Sequence, residues 1–179
     1  MPDDSPRPTP ARWRTVGFLV LLVATVSWNG LLVAVPWLAG HGHDGRSVVA
    51  LSAGVYLTAG VVCHQQPERS FHLWGVQMPV CTRCAGLYLG AAIGALVCIP
   101  RRRGSGRLWL SPERWAGPGE AATSARWVVG VAAVPTVVTV VGEWSGVFDE
   151  TAWWRALAGV ALGTAVAWVV SLVIRGELE

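Results

Sequence analysis

Cys63, His64, Cys81 and Cys84 bring three thiols and an imidazole into one short stretch, C-H, then sixteen residues, then C-x-x-C. Soft thiolates with an imidazole are the ligand set of a tetrahedral zinc site. The spacing resembles a zinc ribbon with one C-x-x-C half replaced by C-H. Three apart at the start of a helix, Cys81 and Cys84 share one face, and the partial positive charge of a helix N-terminus favours their thiolates. Zinc with three thiolates and a neutral imidazole carries a formal charge of about −1, so Arg69 and Arg83 suit the surroundings. Cys63 and His64 are neighbours, about 100° apart on a helix. Both reach one metal only if the helix has ended there, as Pro67 suggests, and His72 is the alternative ligand.

The same thiols allow other chemistry. Cys81-Thr82-Arg83-Cys84 is also a dithiol motif, fit for a membrane thiol-disulfide oxidoreductase that passes electrons between a protein disulfide and a quinone. The plainest alternative is inert small residues at helix ends. A metal-ion transporter would need polar groups continuing through the bilayer, and Asn29, Ser52, Thr58, Thr136, Thr139 and Glu143 are mostly too mild. A four-ligand set is closed, whereas catalytic zinc keeps a position open. A structural or sensory zinc site therefore ranks first, the oxidoreductase second and transport third.

Other residues carry less. His41, His43 and Asp44 read as a solvated turn, about 24 Å from the cysteines if the second apolar run crosses a bilayer. Cys98 lies about 21 Å along the helix from Cys84 and reads as structural. Asn29, in mid-run, suits a helix–helix hydrogen bond. Pro135 predicts a kink. Glu143, beside Trp144, is either a functional acid or an ordinary interfacial one.

The stretch C-H-Q-Q-P-E-R-S-F, then Gly75, then P-V-C-T-R-C-A-G-L-Y-L-G resembles the hallmark of a predicted membrane-protein family known as domain of unknown function 2085. Cys63, His64, Gln65, Pro67, Glu68, Arg69, Ser70, Phe71, Gly75, Pro79, Cys81, Arg83, Cys84, Gly86, Tyr88 and Gly90 carry the resemblance. E-W-S-G from Glu143 and the later W-W-R-A-L-A-G match a looser C-terminal block, with Glu143 in place of the family's acid. The resemblance implies a small multi-spanning protein and no particular activity. It favours His64 over His72 as a ligand, since His72 is outside the hallmark. It draws attention to Arg69 and Ser70, with Gln65 and Arg83, as support for the thiolates. The competing roles are a pair of Arg69 with Glu68 and an interfacial anchor at Phe71.

These side chains must be held by the rest of the chain. Its 179 residues are 53% hydrophobic and 14% charged, against roughly 25% charged in ordinary soluble domains. Four Cys are too few for a secreted disulfide scaffold, and the apolar content excludes disorder over most of the length. A net charge of +3 with no basic face argues against nucleic acid. All 14 basic residues are Arg, read as compositional bias.

The expected architecture is an all-α bundle integral to a membrane, the plasma membrane of a prokaryote. Residues 1–15 are expected as a flexible tail and 16–175 as one transmembrane domain. Five spans are expected over 16–39, 48–63, 82–99, 127–142 and 156–174, or four plus one partial. Buried helices of a soluble domain are disfavoured because too little polar surface remains. Trp13, Trp37, Trp127, Trp153 and Trp154 mark run ends, as interfacial aromatics do. Gly86, Gly90 and Gly94 form a close-packing face, a candidate seam between copies, and Gly159 and Gly163 repeat the spacing. The loop 100–126, with Arg101, Arg102, Arg103, Arg107, Arg114 and Arg126, is expected in the cytoplasm. Arg7, Arg12 and Arg14 also favour the inside. Three spans lie between, so both groups can be inside only if one run fails to cross. With all five crossing, the N-terminus is outside and the C-terminus, after Arg175, inside.

Overall fold

The computed structural model describes residues 10–43, 45–99, 121–147 and 151–175. Five helices dominate: α1 (Pro10–Gly40), α2 (Arg46–Gly60), α3 (Thr82–Val97), α4 (Ala121–Trp144) and α5 (Ala152–Arg175). Among the described residues, three are long and apolar enough to cross a membrane, over Arg12–Gly40, Thr123–Trp144 and Ala152–Arg175. The five-span expectation is not met by length. With 15 and 16 residues, α2 and α3 reach only about 22–24 Å, short of a hydrocarbon core of about 30 Å. Helix α1 starts at Pro10, so residues 10–15, expected as tail, are helical. Residues 1–9, Asp44 and the arginines at 101, 102, 103, 107 and 114 lie outside the described residues. Pro135 lies inside α4.

The fold is mostly helical, as expected, with one short hairpin besides. Between α2 and α3 a short 3₁₀ turn, Pro67–Arg69, leads into an antiparallel hairpin of β1 (Ser70–Leu73) and β2 (Val76–Cys81). Leu73 pairs with Val76, so the loop is Trp74-Gly75, with φ of 53° and 78°. Two successive left-handed residues form the turn that matches strand twist. Asn or Asp usually occupies the first position, and here Trp74 does. The register sets His72 opposite Gln77 and, past an irregularity, Ser70 opposite Cys81.

Close backbone contacts fix the helix directions. Gly86, Gly90 and Gly94 of α3 meet Ala156, Val160 and Thr164 of α5, so these helices run parallel. A Cβ on Gly86 would fall 1.9 Å from the Ala156 carbonyl oxygen, and one on Gly163 would fall 2.1 Å from that of Leu87. The glycine face expected to join copies is thus covered by α5 of the same chain. Helix α4 is antiparallel to α5: Thr136 Oγ1 donates to the Ala158 carbonyl at 3.0 Å, and Glu143 near its C-terminus meets Arg155 near the start of α5. Helix α1 is joined to α3 by Asn29, whose Nδ2 donates to the Tyr88 carbonyl at 2.8 Å, the expected interhelical bond.

At its C-terminal end, α1 abuts the hairpin, Gly40 against Trp74. At its other end Gly17 abuts Ile174, and the Arg175 guanidinium sits 4.9 Å from the Phe18 ring centroid. The start of α1 and the end of α5 therefore share one end of the assembly, contrary to the opposite placement expected of five crossings. Helix α2 accounts for the difference. It begins beside the α1 terminus, where His43 stacks on Trp37. It ends at the same end of the assembly, where Tyr56 Oη donates to the Gln77 carbonyl. Leu32 and Val35 of α1, Val55 and Ala59 of α2, and Met78 and Val80 of β2 pack around it in a core that includes Cys63.

Candidate metal centre

Three separate pieces of backbone deliver the thiols. Cys63 follows the end of α2 at Gly60, Cys81 closes β2 and precedes α3, and Cys84 lies in the first turn of α3. Their sulfur atoms all lie within 4.8 Å of one another, and all three are free thiols. A zinc ion about 2.3 Å from each sulfur would set them about 3.8 Å apart, a small contraction. The Cys81 backbone N–H donates to Cys63 Sγ at 3.2 Å. The Cys84 thiol beside it holds Cys81 well below the ordinary thiol range, at about 5, against the opposing effect of burial. The N–H groups of Arg83 and Cys84 act in the same direction, without a full capping hydrogen bond.

The histidines divide. His64 is exposed and lines the same pocket as the thiols, outside the group of three sulfurs. His72 is exposed on β1 opposite Gln77, away from the pocket lining. His41 and His43 pack on Trp37. Cys98 is fully buried at the far end of α3.

Gln65 and Ser70 act through the backbone. Gln65, at φ 47°, donates from Nε2 to the carbonyls of Tyr56 at 2.7 Å and Pro79 at 2.8 Å. Its own carbonyl accepts from Gln77 Nε2 at 2.7 Å. Ser70 Oγ donates to the Gln66 carbonyl at 2.8 Å. These bonds tie the segment after Cys63 to the strand that carries Cys81, and so fix the approach of the sulfurs. Phe71 packs on Trp153 of α5, with ring centroids 5.1 Å apart.

Glu143 is the largest departure from the sequence reading. It is 7% exposed and meets three guanidiniums: Arg155 Nε at Oε1, Arg83 Nη2 at 3.4 Å from Oε1, and Arg69 Nη1 at 3.7 Å from Oε2. Arg69 therefore pairs with Glu143 and not with Glu68. Arg83 also reaches Thr139 Oγ1 at 3.4 Å. Sequence reasoning passed over Arg155. Its signals were its place in the W-W-R-A-L-A-G block and an ionisable residue directly before an apolar run, a position that is costly unless partnered. Thiols, carboxylate and guanidiniums line one pocket of about 330 Å³. Three thiols that could hold a metal ion and a cluster of guanidiniums thus share one pocket.

The model of the predicted membrane protein family DUF2085 matches residues 63–169, a stretch that includes Cys63, Cys81 and Cys84 with Arg69, Arg83, Glu143 and Arg155. An uncharacterized protein of Methanocaldococcus jannaschii is 30% identical over 80 residues, covering 45% of this chain and 51% of the relative. An uncharacterized protein of Methanothermobacter thermautotrophicus is 57% identical over 30 residues, covering 17% of this chain and 27% of the relative. The chain thus spans about half of the first relative's length and about a quarter of the second's. No solved structure matches.

Proposed function

The chain belongs to this family of predicted membrane proteins, and on that premise we propose that it holds a zinc ion through Cys63, Cys81 and Cys84, in a structural or sensory role. The observation that carries the reading is the convergence of three free thiols from three backbone segments. A metal there would tie the end of α2, the hairpin and the start of α3 together. His64, in the same pocket, is the proposed fourth ligand, reached by turning its ring. Without His64, three thiolates would leave a zinc ion one open position, the arrangement a sensor needs.

The experiment is metal analysis of the full chain in detergent, with thiols titrated before and after chelation. The expected result is one zinc per chain and three thiols released by chelator. Metal-free protein with a reducible Cys81–Cys84 disulfide overturns the zinc reading and favours the thiol oxidoreductase.

The proposed topology has four crossings, by α1, α3, α4 and α5, with α2 lying along one membrane face. Bilayers thin around short helices at modest cost, which suits α3. Arg12, Arg14, Arg126 and Arg175 lie towards the end away from the hairpin, where α3 ends and α4 begins. By the positive-inside rule that end is cytoplasmic, which satisfies both groups of arginines. The thiols then face the oxidising side, where a bound metal keeps them from disulfides. Reporters fused before Pro10 and after Arg175 are both expected to be active in the cytoplasm. A reporter found outside at either position overturns the four-crossing topology.

A further inference from the structure

The cation cluster has more charge than its partner can balance. Glu143 has two oxygens for Arg69, Arg83 and Arg155, and it is the one carboxylate among the described residues lining the pocket. Arg155 and Arg83 share Oε1, and Arg83 contacts it only at 3.4 Å. Without a metal, at least one positive charge is unmatched, whether or not a thiol is ionised. With zinc on three thiolates, one remains, so the surplus persists in either state. Uncompensated charge in a partly buried site is costly, and an anion is the natural remedy.

Two further observations point to a ligand and not merely to a counter-ion in solvent. Thr82, at the start of α3, is 1% exposed and lines the pocket, and its hydroxyl has no hydrogen-bond partner. Arg83 Nε is likewise buried without a partner. Native structures rarely leave such donors unmet. Both belong to the first turn of α3, where the helix dipole favours anions.

We infer that this pocket binds a phosphate-type oxyanion, either free phosphate or the phosphate of a lipid headgroup, between Arg69, Arg83, Arg155 and the Thr82 hydroxyl. Guanidinium forks pair bidentately with phosphate oxygens. A tetrahedral anion offers oxygens in several directions, as donors on α3, α5 and the turn before β1 require. The pocket volume of about 330 Å³ exceeds what a bare phosphate needs and leaves room for a substituent. Its place at the hairpin end of the helices puts it at headgroup depth. Binding of the anion does not depend on zinc, because a positive surplus remains with or without the metal.

The test is calorimetric titration of the full chain in neutral detergent with inorganic phosphate in one arm and short-chain phosphatidic acid in the other, at constant ionic strength. Saturable binding in either arm is expected. Phosphatidic acid at least tenfold tighter identifies a lipid headgroup, and equal affinities identify free phosphate. Arg69→Gln and Thr82→Val are each expected to weaken binding about tenfold or more. Arg69 is half exposed and Val replaces Thr at nearly equal volume, so circular dichroism should show both variants folded. No saturable binding in either arm, or binding unchanged in both variants, overturns the inference.

Discussion

Glu143→Ala is expected to destabilise the protein by about 3–5 kcal/mol, the usual cost of stranding buried charge by removing its partner. The carboxylate is 7% exposed and Arg155 is 14% exposed, so solvent screens this pair little. Arg69 is 50% exposed and should contribute little of the loss. Glu143 is also the clasp between three elements: Arg83 on α3, Arg155 on α5 and its own α4. Its loss should therefore loosen the α4–α5 end of the assembly and not only one contact. Glu143→Gln retains an oxygen for Arg155 and should lose less. Removing both charges in Glu143→Ala with Arg155→Leu should recover part of the stability, because the stranded cation goes too. Denaturant unfolding in detergent measures all three. A Glu143→Ala variant within about 1 kcal/mol of the parent would show that the cluster is a screened surface network.

The thiol cluster was legible in the sequence because its chemistry depends on residue type and a short loop. Cys63, Cys81 and Cys84 are joined by a connection too short to separate them once it turns back. The glycine stripes announced close helix packing, but spacing does not say against what, and Gly86 and Gly90 meet α5 and not a second copy. The role of helix α2 is not legible in the sequence, because an apolar run looks the same crossing a bilayer or lying along its face. The 15-residue length of α2 and its two ends, near Trp37 and at Gln77, are the observations behind the proposed four-crossing topology. The hairpin escaped because its turn uses Trp74 where Asn or Asp is the usual cue. Arg155 escaped because an ionisable residue in an apolar run has no visible partner until the fold brings Glu143 to it, twelve residues away.

Cys63→Ser, Cys81→Ser and Cys84→Ser are each expected to weaken zinc binding by on the order of 100-fold. Structural zinc sites bind with about 10–16 kcal/mol shared over four ligands, so one thiolate is worth about 3 kcal/mol. The effect should be shared among all three, since their sulfurs form one group within 4.8 Å. Cys98→Ser is the control: it is buried at the far end of α3, about 21 Å along the helix from Cys84, and should leave affinity unchanged. Competition against a chromophoric chelator reads these differences directly. The histidine variants sharpen the ligand set. His64→Ala should weaken binding and His72→Ala should not, since only His64 lines the pocket. If His64→Ala binds as the parent does, the fourth position is filled from the pocket side and the site is open, which favours sensing over pure structure. If all three Cys→Ser variants keep stoichiometric metal, the cluster is not the metal site, and its thiols return to the redox reading.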